Sequence, residues 1–519
     1  MFILNFKDRR CHKWYATILF LFLSVSYGFS QEVEVSGTVT DVQNGTPIPG
    51  VSVFAKDTSI GTSTDFDGNY TLSVPEDAVL VFSYIGFNTQ EIPVGDSSVI
   101  NVRLEESLEQ LSEVVVIGYG VQKKELVTGA NLQVEGESLE KQNTTNALQA
   151  LQGQAAGVQI TSTTGQPGGG INVNIRGLGS TGNNSPLYIV DGVQTGDITY
   201  LNNADIENIS VLKDAASAAI YGAQASNGVI LVTTKKGKSG RSQITFDSFY
   251  GVQTLAKEHD LLNAREYMTI LNESAINSAQ PRFFSEEEIN VAQDGTNWLD
   301  EAFQNAYTEN YVIGITGGSE KSTYSSSISY LNQEGIVGGK DLSYYERYNF
   351  RFNSEHKLYE DIITFGENLS LAWTNNNGIA VGNTYNNSLR GAFQANPLLP
   401  VYDANGNYFS TVGQTDPWLQ NQTNPYAAMV YSNQNENSSQ KLLGNVYFDF
   451  ALAENLSFRS SLGIDYYANQ GHSFSPIYAL SANSQRLFSE VYQSQSQGKT
   501  LIWDNILTYS FDLGEAHNF

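Results

Sequence analysis

The 519-residue sequence contains a single cysteine, Cys11, close to the amino terminus. Beyond it there is no thiol to form a disulfide or bind a soft metal, which excludes disulfide-stabilised and cysteine-zinc folds. Charged residues are also scarce, at 16%, and 54 acidic residues face 28 basic ones. The formal net charge of -26 argues against nucleic acid as a partner, because DNA and RNA bind basic surfaces.

Long apolar runs are missing as well. The run from Trp14 to Tyr27 follows a basic stretch and is too short to span a bilayer as a helix, which takes roughly 20 apolar residues. A basic start, a short apolar run and small residues after it indicate a secretory signal peptide over residues 1–30, cleaved before Gln31. The sequence therefore predicts an exported protein without helical membrane spans.

What the sequence does have is 29 Tyr, 26 Phe and 46 Gly among many Asn and Ser residues. A sequence rich in aromatic residues and glycine but poor in charge is typical of an outer-membrane β-barrel, whose strands expose only alternate residues to lipid. The composition therefore favours a mainly β protein of the outer membrane.

Three segments precede any barrel. Residues 31–105 alternate short apolar strands with turn residues, including an Asp67-Gly68 hairpin signal, and predict a β-sandwich. Residues 106–120 form an acidic linker around Val114–Ile117, which we interpret as one unpaired strand. Residues 121–238 mix helical and strand patterns and predict a compact α+β domain.

Residues 239–519 show long strands with two-residue alternation. In one strand Ile244 and Phe246 share a face, and Thr245 and Asp247 share the other. Such strands fit a barrel wall with apolar residues outside and polar residues inside. We count about ten strands. Because enclosing a plug domain of this size takes a barrel of about 22 strands, we expect the first half of a large antiparallel barrel, truncated at the end of the sequence.

Five segments carry a specific resemblance to a known family. They are LSEVVVIGYG (111–120), ALQGQAAGVQITSTTGQPGGGINVNIRGLGS (150–180), PLYIVDGV (186–193), IENISVLKDAASAAIYGAQASNGVILVTTKKGK (206–238) and ANPLLPVYDANGNY (395–408). On these residues the chain resembles the SusC/RagA-like TonB-dependent outer-membrane transporters. The resemblance implies a signal peptide, a carboxypeptidase-regulatory-like β-sandwich, a TonB box, a plug and a barrel, in that order.

The resemblance also implies partners and a location. The partners are TonB with its inner-membrane motor, a SusD-like surface lipoprotein, outer-membrane lipid, and an oligosaccharide or peptide substrate. The location is the cell outer membrane, with the sandwich, TonB box and plug facing the periplasm or lying inside the barrel. No cofactor is implied.

The TonB box is expected at five consecutive residues: Glu113, Val114, Val115, Val116 and Ile117. Such a segment can add to a sheet of TonB, because backbone pairing supplies affinity without demanding particular side chains. The alternative is that the apolar run is only an edge strand of the sandwich or plug.

Two plug cations are candidates for a release latch. By resemblance, Arg176 and Lys213 pair with barrel carboxylates and hold the plug in place. The alternative is that both form ordinary salt bridges within the plug, to Glu207, Asp205 or Asp214.

The remaining plug motif residues are Asp191, Gly192, Tyr221 and Gly222. We interpret Asp191-Gly192 as a hairpin turn rather than a ligand site.

Enzyme chemistry finds little support in the sequence. The run from Gly177 to Gly182 matches a dinucleotide fingerprint, but the NNSP that follows cannot open a helix. The segment from Asp65 to Asn69 resembles a calcium loop with its glycine too early, so a tight turn is the better interpretation. The histidines form no paired zinc motif, and we expect neither catalysis nor a bound metal.

The sequence therefore predicts TonB-dependent import of a bulky nutrient, most consistent with an oligosaccharide and alternatively a peptide. The competing hypothesis is a truncated, non-transporting surface binding protein or receptor remnant. A signalling transducer is a third hypothesis, but the sandwich does not resemble the domain that such a protein needs.

Overall fold

The structure is a computed structural model, mostly β, that divides into two compact units, Met1–Glu113 and Val114–Phe519. Within the described residues, no helix is both long enough and apolar enough to cross a membrane. The residues described are 32–42, 44–56, 58, 60–84, 87–95, 97–105, 114–117, 120–123, 131–142, 144–359, 362–380 and 387–511.

The first unit is the expected β-sandwich. One sheet has the order β4-β1-β7 and the other the order β3-β2-β5-β6. Alternate residues of β4 are buried, so Tyr70, Leu72 and Val74 join the core between the sheets. The strands are β1 (Glu32–Asp41), β2 (Ser52–Ala55), β3 (Gly61–Ser63), β4 (Asn69–Pro75), β5 (Val79–Ser83), β6 (Gln90–Pro93) and β7 (Val102–Leu104).

The segment that resembles a calcium loop is a tight turn. The Asp65 carboxylate accepts hydrogen bonds from the backbone N–H groups of Asp67 and Asn69, at 3.0 and 2.8 Å. Gly68 has a φ of 74°, and a Cβ there would lie 2.6 Å from the Val39 carbonyl oxygen. Only glycine fits this close turn.

The second unit opens with a small hairpin of β8 (Val114–Ile117) and β9 (Gly120–Lys123). The strands pair antiparallel, with Val114 opposite Lys123 and Ile117 opposite Gly120. The prediction of a single unpaired strand is therefore wrong, because β9 supplies a local partner for β8. An isolated two-stranded hairpin is only marginally stable in water, so this pairing can be exchanged.

The plug is built on a five-stranded sheet with the order β10-β15-β16-β13-β14. The central strand β16 carries an unbroken buried run, Val229–Val232, because both of its faces are covered. The strands of the plug are β10 (Asn131–Glu135), β11 (Val158–Ser162), β12 (Ile171–Ile175), β13 (Leu187–Val190), β14 (Val193–Thr195), β15 (Ile206–Leu212) and β16 (Val229–Thr234). The helices of the plug are α1 (Gly136–Glu140), α2 (Ala147–Ala150) and α3 (Ala215–Ala218), and 3-10 turns lie at Asn203–Asp205 and Ala219–Ala225.

After Ser239 the described residues form ten strands, eight of them in one antiparallel sheet with the order β17-β18-β19-β20-β21-β22-β23-β26. We call this sheet the wall; β24 and β25 form a separate hairpin. The strands are β17 (Gly240–Gln253), β18 (Ala306–Gly318), β19 (Ser322–Glu334), β20 (Tyr344–Leu358), β21 (Ile363–Asn377), β22 (Gln434–Ala453), β23 (Leu456–Ser475), β24 (Tyr478–Ser481), β25 (Ser484–Arg486) and β26 (Glu490–Tyr509).

The connections between wall strands differ at the two ends. At one end they are short, as at 319–321 and 454–455. At the other end they are long and hold the helices, as at 254–305 and 378–433, and we call these the short-turn end and the long-loop end. The helices there are α4 (Ala264–Asn277), α5 (Glu286–Val291), α6 (Trp298–Ala302), α7 (Gly339–Leu342), α8 (Ser388–Gln394) and α9 (Pro425–Ser432).

The outer face of the wall is apolar, as the alternation predicts. Ile244 and Phe246 expose 75% and 65% of their surface, which a soluble protein would rarely allow side by side. The structure is therefore a partial barrel wall that presents alternate apolar residues to its surroundings, with the plug packed on the opposite face.

Candidate functional site

A buried ion pair joins the wall to the plug. Arg351 of β20 lies 3.1 Å from the carboxylate of Asp205, and both side chains are about 95% buried, with 4% and 5% exposed. Ser327 of β19 donates a second hydrogen bond to the same carboxylate, at 2.5 Å. Because a buried charge without a partner is strongly unfavourable, each of these ions requires the other.

The same arginine also binds the end of β16. Its guanidinium donates to the Lys235 carbonyl oxygen at 2.5 Å, and Asn353 donates to the Thr234 hydroxyl at 2.7 Å. We call the set of Arg351, Asn353, Asp205, Thr234 and Lys235 the latch network. It connects the last plug strand to the wall through charge-assisted hydrogen bonds, which are stronger than neutral ones.

Two further residues of β20 bind the plug backbone. Arg347 donates to the Thr199 carbonyl oxygen and Asn349 to the Tyr200 carbonyl oxygen, each at 2.6 Å. Arg347, Asn349, Arg351 and Asn353 occupy every second position of β20 and are all buried. The strand therefore offers a row of polar groups to the plug and aromatic residues to the outside.

The Asp191-Gly192 pair forms the turn between β13 and β14. Asp191 has a φ of 47° and Gly192 a φ of 87°, as a tight hairpin turn requires. The Asp191 carboxylate accepts from the Thr234 N–H and hydroxyl at 2.9 and 2.7 Å, and its carbonyl oxygen accepts from Asn445 of β22 at 2.9 Å. The turn is thus connected both to the latch network and to the wall.

A large cavity lies between the plug and the long-loop end of the wall. Its volume is about 820 Å³, and we call it the outer cavity. Its lining is mainly hydroxyl, amide and backbone groups with a few charges. Plug residues Thr164, Gln166, Asp197 and Tyr200 and wall residues Gln333, Tyr345, Arg347, Thr374, Ser439, Lys441, Asp465 and Tyr467 contribute to it.

Tyr200 stands at the base of the outer cavity. Burial, and then the nearby carboxylates of Asp197, Asp465 and Asp191, raise the pKa of Tyr200 well above its usual value, so its hydroxyl keeps its proton. Beside it, Lys441 lies 2.6 Å from the Asp465 carboxylate and 5.6 Å from the Tyr200 ring centre. The base can therefore donate and accept hydrogen bonds.

A second cavity of about 460 Å³ lies nearer the short-turn end, and we call it the inner cavity. It contains the predicted motif residues Asp191, Gly192 and Tyr221. From the wall, Asn445, Asp449, Arg459, Ser457 and Asp504 line it.

Comparison with known proteins matches two domains in this order. A model of the CarboxypepD_reg-like domain matches residues 35–116, and one of the TonB-dependent receptor plug domain matches residues 123–229. The curated TonB-dependent receptor SusC of Bacteroides thetaiotaomicron is 34% identical over 479 residues, which cover 86% of this chain and 45% of SusC. A TonB-dependent receptor of Formosa agariphila is 38% identical over 471 residues, covering 88% of this chain and 43% of that receptor.

The chain belongs to the SusC-like TonB-dependent receptors. Among solved structures, the RagAB peptide importer in its open-open state matches with a TM-score of 0.68 at 26% identity, over 78% of this chain and 48% of that one. The chain spans about half the length of the curated relatives it matches. Receptors of this family are outer-membrane proteins and not enzymes.

In this receptor the expected TonB box lies in the hairpin of β8 and β9. Val114, Val115, Val116 and Ile117 form β8, whereas Glu113 lies outside the described residues. Its role as a TonB box stays a prediction.

The latch candidates of the receptor are placed inside the plug. Arg176 pairs with Asp214 at 2.5 Å, and Lys213 donates to the Ala156 carbonyl oxygen at 2.9 Å. Among the described residues neither contacts a wall carboxylate: Arg176 makes the plug-internal salt bridge and Lys213 a backbone contact. The role of both residues as a latch to the barrel stays a prediction. Gly222, with a φ of 68°, breaks the 3-10 turn after Tyr221.

The residues that do join plug to wall were missed by sequence reasoning. Arg351 and Asp205 are 146 positions apart, and Asp205 was considered only as a partner for plug cations. One signal was present: Arg347 and Arg351 alternate with aromatic residues in β20, which marks them as inward-facing cations in a wall.

Proposed function

We propose that the intact receptor imports a bulky nutrient, an oligosaccharide or a peptide, across the outer membrane, driven by force applied at the TonB box. The observation that carries this proposal is the outer cavity, which lies between plug and wall at the long-loop end. Its 820 Å³ falls within the roughly 300–1,000 Å³ typical of ligand sites. A nutrient bound there rests directly on the plug that blocks its way.

The lining of the outer cavity suits an uncharged, hydroxyl- or amide-rich ligand. Most of its lining residues are polar, and its two basic residues, Arg347 and Lys441, equal its two acidic ones in number. Lys441 and Asp465 form an ion pair. Both oligosaccharides and peptides offer such groups. The structurally similar RagAB is a peptide importer, which keeps the peptide alternative open.

The hairpin of β8 and β9 supports the mechanical part of the proposal. Only two strands pair there, so TonB can replace β9 as the partner of β8 at little free-energy cost. Force on this segment then acts on the chain that leads into the plug. TonB and a SusD-like lipoprotein are the partners that this mechanism requires.

The experiment removes the TonB box and separates binding from uptake. Cells expressing the intact gene product are given a panel of fluorescently labelled oligosaccharides and peptides, and surface binding and internal accumulation are measured separately. Deletion of residues 113–117 should reduce uptake more than 10-fold and leave binding unchanged. Unchanged uptake in the deletion variant would rule out TonB-driven import, and binding without uptake in the parent protein would favour a surface binding protein.

A further inference from the structure

We propose that the nutrient travels from the outer to the inner cavity along β22, β23 and β26, and that β14, with the Asp191-Gly192 turn before it, is the gate on this route. The proposal rests on the import function and specifies its path. Both cavities are lined by residues of β22, β23 and β26, and both also contact β21. The inward-facing residues of β23 and β26 belong to the outer cavity as far as Asp465 and Thr500, and to the inner cavity from Ser461 and Asp504.

The two cavities are separated by one row of the wall. In that row Gly463 of β23 and Ile502 of β26 pair with each other and line neither cavity, and Asn445 of β22, which pairs with Gly463, stands at the edge of the inner cavity. Val193 of β14 packs on this row: a Cβ built on Gly463 would lie 3.2 and 3.4 Å from the two methyl carbons of Val193. The glycine therefore permits a close approach of the plug at this row.

The constriction is apolar, whereas the cavities on both sides are polar. Val193 and Leu443 are buried, and Ile502 packs against the same core cluster. On the outer side stand Lys441 and Asp465, and on the inner side Arg459 and other charged groups. A short apolar constriction between two polar spaces stays closed to water and polar solutes until its wall moves.

The element that closes the constriction is also the one most easily displaced from the plug. β14 is the edge strand of the five-stranded sheet and pairs over three residues, Val193–Thr195, with β13 alone. Asn445 holds the turn before it, and Arg347 holds Thr199 after it. Moving the segment between these two anchors breaks fewer backbone hydrogen bonds than moving an inner strand, so local opening does not require the whole plug to leave.

The test is a reversible staple across the gate. Cys11 is the only cysteine of the sequence, so introduced thiols between residues 31 and 519 have no competitor there. The intact gene product carrying Val193→Cys and Gly463→Cys is oxidised on cells, because the contact distances bring the two Cβ atoms close to the roughly 3.5–4.5 Å that a disulfide spans. Uptake and binding of the labelled panel are then measured before and after dithiothreitol.

A matched staple ties the plug to a different part of the wall. Asn202 of the plug donates a hydrogen bond to the side-chain oxygen of Asn310 on β18 at 3.2 Å, and neither residue lines the outer or the inner cavity. Asn202→Cys with Asn310→Cys, bridged by a short reducible crosslinker, therefore joins plug and wall away from the route. We expect the gate staple to reduce uptake more than 10-fold, with binding retained and uptake restored by reduction. The matched staple should leave uptake within twofold of the reduced protein.

Two outcomes overturn the route while leaving import intact. Either the stapled gate still imports, or both staples abolish uptake equally, which would mean that the plug leaves as one body. The import proposal itself is tested separately by the deletion of residues 113–117, and uptake that this deletion does not change would contradict it. If the reduced gate variant does not fold, Gly192→Cys with Asn445→Cys, bridged by a short reducible crosslinker, tests the same row with the same expected losses.

Discussion

At the scale of single residues, the buried pair of Arg351 and Asp205 is the strongest polar contact between plug and wall. Two buried charges are tolerated because Ser327, Ser325 and the Lys235 carbonyl oxygen complete their hydrogen bonds. The net stabilisation by such a pair is modest, but removing one partner leaves a bare charge in a dry interface. Such a pair holds the docked plug firmly while both charges are in place, and it is best broken by separating both charges together.

Replacing Arg351→Gln should therefore destabilise the docked plug by roughly 3–5 kcal/mol. Hydrogen exchange at the Thr234 and Lys235 amides should accelerate accordingly. The control is Arg176→Gln, because Arg176 is 54% exposed and its pair with Asp214 should contribute less than about 1 kcal/mol. Adding Asp205→Asn to Arg351→Gln should recover part of the loss. Equal effects of the two arginine variants would contradict the assignment of the latch network.

Tyr70 makes the stability of the sandwich depend on pH. Its hydroxyl donates to the Ile100 carbonyl oxygen at 2.8 Å, and burial raises the pKa of Tyr70 to about 12. Between the usual pKa of about 10 and this value, the unfolded chain loses a proton that the folded sandwich keeps, so stability falls as pH rises. Tyr70→Phe should lower the free energy of unfolding of the sandwich by about 1 kcal/mol at neutral pH and make its decrease with rising pH less steep.

Protease resistance of the sandwich, compared at pH 8 and at about pH 11, measures the effect. The difference between parent and Tyr70→Phe should shrink or change sign at the higher pH. A difference that stays constant across this range would show that Tyr70 does not ionise on unfolding.

At the scale of elements, the outer face of β19 carries two residues at different depths: Ile328 within the membrane-facing band and Asn332 nearer the membrane interface. Ile328 is 63% exposed within the apolar rows, whereas Asn332 lies opposite Glu309 and Glu346 near the long-loop end. Ile328→Arg should destabilise the intact barrel by roughly 2–4 kcal/mol, and Asn332→Arg by about 0–1 kcal/mol. Urea unfolding in detergent-free lipid vesicles measures both, and similar losses at the two positions would place Ile328 outside the bilayer.

The wall could be predicted from sequence because its signal is local. Alternation in β17 and β23 assigns an outward and an inward face without any knowledge of partners, and the structure has those faces. The partners of inward residues could not be predicted, because the contact between β20 and Asp205 depends on how a separate domain sits in the barrel. The pairing of β8 was missed for a simpler reason: the sequence between β8 and β9, Gly118-Tyr119, is not one of the strong Asn-Gly or Asp-Gly hairpin signals.

At the scale of the whole molecule, two aromatic rows mark the width of the membrane-facing band. One row, toward the long-loop end, contains Tyr348 with its strand neighbours Tyr330 and Trp373. The other row, toward the short-turn end, contains His356 opposite Phe365. Eight residues of β20 separate them, which at about 3.4 Å per residue and a tilt of about 40° gives about 20 Å. This approaches the roughly 25 Å band of known outer-membrane barrels, so we expect the long-loop end and the short-turn end to lie on opposite sides of the membrane.

Because outer-membrane barrels have short periplasmic turns and longer extracellular loops, we expect the long-loop end to face the medium. Asn405, in the 378–433 connection, and Glu320, in a short turn, are both exposed in the structure. In the intact gene product on whole cells, Asn405→Cys should react with a membrane-impermeant maleimide, and Glu320→Cys should react only after the outer membrane is permeabilised. The permeabilised sample controls for thiol reactivity at each site. Labelling of Glu320→Cys on intact cells would show that the barrel has the opposite orientation. The outer cavity would then lie on the periplasmic side, where it could not receive a nutrient from the medium.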